Sequence, residues 1–448
     1  MHSLTLQQVC QILNISSSFS QTQIHGVQVD SRLIKPGDLF IALKGEKTDG
    51  HCFLEDVRQK GAIGAIVCKD FQNQHIDFPL IRVEDPLHSF QMLAQKLIQN
   101  SSPRIIGVTG SVGKTSTKHF IQTLLEKHYK LIASPRNQNS QIGLPLTILN
   151  HTDGTEDVLV LEMGMTEAGH LKQLVQIAPP EVAVITNVEL VHAENFHSLK
   201  EIALAKGEIF SHPSTRLGIL SKENPFFDDL SAIKDFEKRS FSNSFQNADY
   251  FIHLKNKQLS IQANIEKKLI ELGSISFQGN HHLHNLVAAI AVARYFNIDW
   301  ESIIHTIPTL HLTERRFEIV HQQSITFIND SYNASEFSIK AALESMPSPK
   351  KNGRKIAVIG SMSELGKFSF DCHRNVGHYA LDYVEIMYCL GDDCQPIVDI
   401  WKNQGRSVCL FQKRDELVRC LKNELKQNDV VLLKGSNYHE LWKVLEEI

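Results

Sequence analysis

The stretch from Ile105 to Thr117, read Ile-Ile-Gly-Val-Thr-Gly-Ser-Val-Gly-Lys-Thr-Ser-Thr, constrains this chain more than any other. The apolar run Ile105 to Val108 fits a buried strand, and Thr109 to Gly113 is a small, glycine-punctuated turn. From Lys114 the spacing becomes helical, with Phe120, Ile121, Leu124 and Leu125 on one stripe. A strand, a glycine turn and a helix N-terminus make a phosphate cradle. The glycines let backbone N–H groups approach the anion, and the helix dipole favours it. Lys114 adds a cation, and the Thr115 hydroxyl suits Mg²⁺. The strict G-x-x-x-x-G-K-[ST] spelling is not met, because Val108 stands five positions before Gly113 and the glycines fall at Gly107 and Gly110. An ordinary turn can spell Gly-Lys-Thr too. The strand-to-helix context selects a site for a nucleoside triphosphate.

A chain of 448 residues provides for roughly three domains. Residues 1–100 form a smaller N-terminal α/β unit. Residues 101–310 form a central unit with a P-loop-type parallel sheet, and residues 311–448 a C-terminal unit with a Rossmann-like sheet. In the first, Val27 to Arg32, Leu39 to Leu43 and Gly61 to Val67 read as strands, and Met1 to Asn14 as an amphipathic helix. The Asp30-Ser31-Arg32 cluster is either a turn with a surface ion pair or a grip for phosphate or carboxylate. In the second, Val158 to Met163 and Val182 to Val188 are continuous apolar strands ending in polar residues, so Glu162 and His192 face the phosphate loop from strand carboxyl ends. A carboxylate on an apolar strand is costly unless paired or metal-bound, so Glu162 is a candidate metal ligand with a paired carboxylate as the alternative; a satisfied core histidine competes with that role for His192. Residues 212–277 suggest a small antiparallel excursion, and Leu286 to Phe296 an alanine-rich helix. His281, His282 and His284 before it do not share one helical face and make a poor metal site. In the third, Lys355 to Gly360, Ile386 to Gly391, Ser407 to Phe411 and Val430 to Gly435 read as strands; Gly360 to Gly366 lacks G-x-G-x-x-G, which argues against a nicotinamide cofactor.

A net charge of only −4 argues against nucleic acid or an anionic membrane surface as partner. No apolar run nears the ~20 residues of a membrane span, and eight cysteines without C-x-x-C pairs read as reduced thiols of a cytoplasmic protein.

Widely separated motifs then coincide. They are Asp30-Ser-Arg with Pro36-Gly-Asp-Leu-Phe, Asp49-Gly-His, Thr109 to Ser116, Asn137 to Pro145, Glu162-Met-Gly-Met and Asn187 to His192. They continue with Ala205-Lys-Gly-Glu-Ile209, Gly279 to Asn285, Asn329-Asp-Ser-Tyr-Asn-Ala334 and Lys434-Gly-Ser436. In this set the chain resembles the ATP-dependent Mur ligases of peptidoglycan synthesis. The resemblance implies that Gly110 to Ser116 bind ATP phosphates and that Thr115 and Glu162 hold one Mg²⁺, with His192 at a second. Lys114, His192 and Lys206 are then catalytic, Lys206 as the carbamylated lysine. Asn285, Arg316 and Asp330 contact the nucleotide. Asp30, Ser31, Arg32, Lys44, Gly45 and Asn139 bind the UDP-linked substrate. The implied reaction passes through an acyl phosphate and forms an amide. Glu162-Met-Gly-Met and Asp330-Ser-Tyr-Asn-Ala match the member that adds D-alanyl-D-alanine to UDP-N-acetylmuramoyl-tripeptide, and the Asp-Asn-Pro-Arg of diamino-acid-adding relatives is missing. The expected enzyme is monomeric. Addition of another amino acid, folylpolyglutamate-type ligation and a non-catalytic nucleotide-binding switch are the competing readings. Three positions depart from the family pattern: Arg315 where glycine is usual, His282 for asparagine and Ser361 for aspartate.

Overall fold

The computed structural model describes residues 4–16, 21–72, 77–255 and 258–448, and these build three sheets. The first is β1 (Gly26–Gln28), β2 (Asp38–Ile41), β3 (Gly64–Cys68) and β4 (Leu80–Val83), parallel and in sequence order. The strand expected over Val27 to Arg32 stops at Gln28. Asp30 accepts the Arg32 backbone N–H at 3.0 Å and winds Ser31–Leu33 into a 3-10 turn instead. The N-terminal helix spans Leu6–Ile12, closed by a capping box between Thr5 and Gln8; the first three residues of the expected helix lie outside the described residues.

The second sheet has nine strands: β5 (Arg104–Thr109), β6 (Leu131–Ala133), β7 (Val158–Glu162), β8 (Val182–Ile185), β9 (Leu217–Ser221), β10 (Glu237–Ser242), β11 (Tyr250–Lys255), β12 (Gln258–Ala263) and β13 (Lys268–Gly273). Their order is β13-β12-β11-β10-β9-β8-β5-β7-β6. β12 pairs antiparallel with both β11 and β13, so the excursion expected over 212–277 is smaller than read: β9, β10 and β11 extend the parallel sheet. β5, β7 and β8 are neighbours at its centre and deliver Thr109, Glu162 and Thr186 to one end. The alanine-rich helix begins already at Asn280 and runs to Tyr295, with Leu286 to Ala293 wholly buried.

The third sheet is β14 (Glu318–Gln322), β15 (Ile325–Asn329), β16 (Lys355–Gly360), β17 (Ile386–Leu390), β18 (Ser407–Phe411) and β19 (Val430–Lys434), ordered β14-β15-β19-β16-β17-β18 and parallel save for β14. The last four strands fall where the sequence puts them; the β14–β15 hairpin was not expected. One hydrophobic core runs from the first sheet (Val27, Leu39, Ile41, Ile66) through the helix Pro86–Ser101 into the second (Leu144, Ile148, Leu159, Leu161). Asn150 completes this junction, accepting the Val27 N–H at 2.8 Å and donating to its carbonyl at 2.9 Å. The third sheet has separate cores on its two faces. Among the described residues, no helix is long and apolar enough to cross a membrane.

Candidate active site

The loop after β5 is tightly enclosed. Gly110 (φ 146°) and Gly113 (φ 86°) hold backbone conformations that favour glycine. A Cβ at Gly110 would lie 1.9 Å from Thr186 Oγ1, and one at Gly113 2.3 Å from Asn285 Oδ1. Thr186 Oγ1 donates to the Val112 carbonyl (2.6 Å), the Ser111 N–H to the Asn187 carbonyl (2.8 Å), and Ser111 Oγ to the Glu189 carbonyl (2.8 Å). The loop after β8 therefore shapes the loop after β5. Lys114, at the first turn of the helix Lys114–Leu125, donates from Nζ to the carbonyls of Gly110 (2.7 Å) and Ser111 (3.2 Å). Burial lowers its pKa, while the nearby Glu162 carboxylate acts to raise it. Gly113→Ala is expected to raise the KM for ATP about 10-fold, the cost of one left-handed Cβ-bearing residue; nucleotide titration of the folded variant checks it.

Glu162 ends β7, 2% exposed. Its carboxylate accepts from Thr115 Oγ1 (3.0 Å) and Asn139 Nδ2 (2.8 Å), and Lys118 Nζ lies 3.6 Å away. Lys118 is held in place by the carbonyls of Ser134 (2.5 Å) and Arg136 (3.0 Å). From the third sheet, Arg316 donates to Thr115 Oγ1 (3.2 Å) with its guanidinium 4.2 Å over the Tyr332 ring. Asp330 accepts from Lys434 Nζ (2.6 Å) and from the Phe317 N–H (3.1 Å). These groups line a cleft of about 420 Å³ between the second and third sheets.

The opposite wall carries His192, whose φ is 54° and whose ring is ion-paired with Glu364 from the loop after β16. The Glu194 N–H donates to the Glu364 carbonyl (3.1 Å), a second bond across the same gap. Lys206 is 2% exposed on the helix Leu199–Gly207. Burial, and secondarily the Lys114 ammonium, hold its pKa well below the usual lysine value. The carboxylates near it in sequence are engaged elsewhere: Glu201 accepts the His197 N–H and Glu208 those of Gly169 and Lys172.

Three family models cover most of the chain: "Mur ligase family, catalytic domain" matches residues 23–100, "Mur ligase middle domain" 108–293, and "Mur ligase, glutamate ligase domain" 315–437. The UDP-N-acetylmuramoyl-tripeptide–D-alanyl-D-alanine ligase of Bacillus subtilis is 31% identical over 96% of this chain and 94% of its own length. That of Rickettsia prowazekii is 34% identical over 94% of each. The chain belongs to the Mur ligase family. Its three-sheet fold superposes on a crystal structure of MurF from Acinetobacter baumannii with a TM-score of 0.87 (25% identity, 100% of this chain and 99% of that one). MurF from Thermotoga maritima in complex with ADP gives 0.79 (27% identity, 94% and 96%).

In this Mur ligase, Ser111 to Ser116, Asn139, Glu162, His192, Asn285, Arg316 and Asp330 share one cleft, and Gly110 lies just behind it. Asn139, expected among the residues that bind the UDP-linked substrate, donates to the Glu162 carboxylate beside the phosphate loop. Asp30, Ser31, Arg32, Lys44 and Gly45 lie apart, on the first sheet. The Arg32 side chain, 84% exposed, chelates Asp30 (2.6 Å) and holds that carboxyl at about 2, which is the surface ion pair the sequence left open. The backbones of Lys44 and Asp49 pair as an isolated antiparallel bridge, and the Gly45 N–H donates to the Thr48 carbonyl (2.9 Å). Lys206 is outside the cleft lining. Sequence reasoning missed Lys118, Tyr332, Glu364 and the Lys434–Asp330 pair. Lys118 carried a signal, one turn beyond Lys114 on the same helix face. The departing residues all find partners. Arg315 covers the Trp442 ring at 4.1 Å, the His282 ring packs 3.9 Å from that of His281, and Ser361 Oγ meets His439 Nε2 at 2.7 Å.

Proposed function

We propose that this Mur ligase joins D-alanyl-D-alanine to UDP-N-acetylmuramoyl-tripeptide in the cytoplasm, as a monomer, with release of ADP and phosphate. The observation that carries the reading is the whole-length likeness to ligases of that name; the cleft chemistry supports it. In this reading residues 1–100, with Asp30, Ser31, Arg32, Lys44 and Gly45, hold the uridine diphosphate. Residues 101–310 hold the triphosphate, and residues 311–448 bring Arg316 and Asp330 to the nucleotide.

The tripeptide's terminal carboxylate attacks the γ-phosphorus, ADP departs, and an acyl phosphate remains. The dipeptide amine then attacks that carbonyl, loses its proton, and phosphate leaves. The first step joins two anions, so charge neutralisation is the main demand. Backbone N–H groups of Val112 to Ser116, with Lys114 and Arg316, meet it from the chain itself, while the Ser111 N–H holds the loop to Asn187. Glu162 and Thr115 present two hard oxygens beside the cradle, a fit for Mg²⁺, which when bound supplies further neutralisation of phosphate charge. His192, aligned by Glu364, is the residue assigned to a second ion. Holding both reactants in register contributes up to roughly 7–11 kcal/mol. The reading extends to Lys206. A neutral buried amine can add CO₂, forming the N–C bond and releasing a proton to solvent, and the carbamate's negative charge is then balanced by the cations beside it, Lys114 among them.

The test is ADP release from purified protein supplied with ATP, UDP-N-acetylmuramoyl-tripeptide and a panel of amines. Release that requires the tripeptide and D-alanyl-D-alanine is expected. Equal release with single amino acids in place of the dipeptide would reject the proposed acceptor.

A further inference from the structure

The strap Arg315–Phe317 carries Arg316 into the cleft, and its backbone is unusual. Arg315 (φ 60°) and Phe317 (φ 55°) are both left-handed, a conformation disfavoured for any residue bearing a Cβ. These two reversals flank Arg316 and turn its side chain toward Thr115. Such a backbone persists only where the surroundings hold it.

At Phe317 the restraint is plain: the side chain is 2% exposed and its N–H is bound by Asp330 at 3.1 Å. At Arg315 the backbone is tied only by long bonds, its N–H to Glu318 Oε2 (3.3 Å) and its carbonyl from the Tyr332 N–H (3.3 Å). The remaining restraint is the guanidinium seated 4.1 Å over the Trp442 ring. Trp442 is itself fixed. Leu441 before it is wholly buried, and Glu440 is tied to Lys443 (2.6 Å) and Arg414 (3.3 Å).

We infer that Trp442 is a positioning residue for the nucleotide site: its indole clamps Arg315, and the clamped strap presents Arg316 to Thr115. This rests on reading the cleft as the ATP site. Trp442 touches none of the reacting groups and acts only through Arg315. A glycine would enter the left-handed region freely and need no clamp. The arginine at this position makes the clamp necessary.

The experiment compares steady-state kinetics of the parent, Trp442→Ala, Trp442→Phe, Arg315→Gln and the double variant Trp442→Ala/Arg315→Gln, with ADP titration into each. Loss of one partly buried cation–π contact sets the expected size, a rise of about 3- to 10-fold in both the KM for ATP and the Kd for ADP in Trp442→Ala. The KM values for the UDP-linked and amine substrates stay unchanged, and Trp442→Phe restores the parent values. The double variant matches the worse single variant, because both remove the same contact. Equal rises in all three KM values, or an unchanged nucleotide affinity with a lowered melting temperature, would overturn the inference and make Trp442 a packing residue only. If Trp442→Ala does not fold, Arg315→Gln alone puts the same question to nucleotide affinity. A parent that releases no ADP speaks against the proposed ligase reaction instead, and ADP titration then decides the clamp by itself.

Discussion

Lys114→Ala is expected to lower turnover by about 10²–10³-fold, or roughly 2.7–4 kcal/mol, while leaving the fold intact. The ammonium is placed before any reaction begins, resting 2.7 Å from the Gly110 carbonyl at the mouth of the helix Lys114–Leu125. Preorganised charge is worth most where water is excluded, and Lys114 is buried enough that its pKa is lowered. Its removal costs little stability, because the carbonyls it releases belong to a loop also held by Thr186, Asn187 and Glu189. Steady-state ADP formation alongside a thermal melt checks both halves. Near-normal turnover in a folded variant would remove this loop from the phosphate chemistry.

A loss of similar size is expected for Lys206→Ala, together with partial recovery in acetate or propionate. Neither nearby carboxylate pairs with the lysine, because Glu201 accepts the His197 N–H and Glu208 two backbone N–H groups. Ordinary surface pairing, worth at most ~1 kcal/mol, would in any case leave catalysis untouched. Burial then favours the uncharged amine, the species able to add CO₂. A small carboxylate diffusing into the space left by alanine would supply oxygens in place of those of the proposed carbamate. Full activity of Lys206→Ala without additives would defeat this reading, and mass spectrometry of the intact parent would look for the added CO₂ directly.

The strands around the phosphate loop were legible because they are central. β5, β7 and β8 are buried on both faces and spell unbroken apolar runs that no solvent-facing residue interrupts. The same holds for β16 and β19. The β14–β15 hairpin escaped notice for the opposite reason. β14 is an exposed edge strand, Glu-Ile-Val-His-Gln, and its turn at Gln323 (φ 49°) and Ser324 (φ 66°) adopts left-handed conformations without the glycine or asparagine that normally announces them. The strand expected over Val27 to Arg32 ends early because its alternation hides an aspartate that binds its own backbone two residues on, the turn that Asp30-Ser31-Arg32 also allowed. The cleft itself divides likewise. Thr115, Glu162 and Lys114 were legible through local context. Glu364 on His192 and Trp442 under Arg315 were not, since contacts between distant segments leave no periodicity in the sequence.

Because one hydrophobic core joins the first sheet to the second, residues near Asp30 and the loop at Lys114 are fixed points on a single stiff body. A substrate anchored at one and reacting at the other is gauged, as a workpiece is in a jig. One extended residue spans about 3.3–3.6 Å, whereas reacting atoms must come within roughly 3–3.5 Å of each other. A peptide stem one residue short therefore leaves its carboxylate a full bond-forming distance from the phosphorus. With the uridine diphosphate anchored near Asp30, as proposed, the stiffness of the frame selects stem length, with no side chain needed to read each residue along the way.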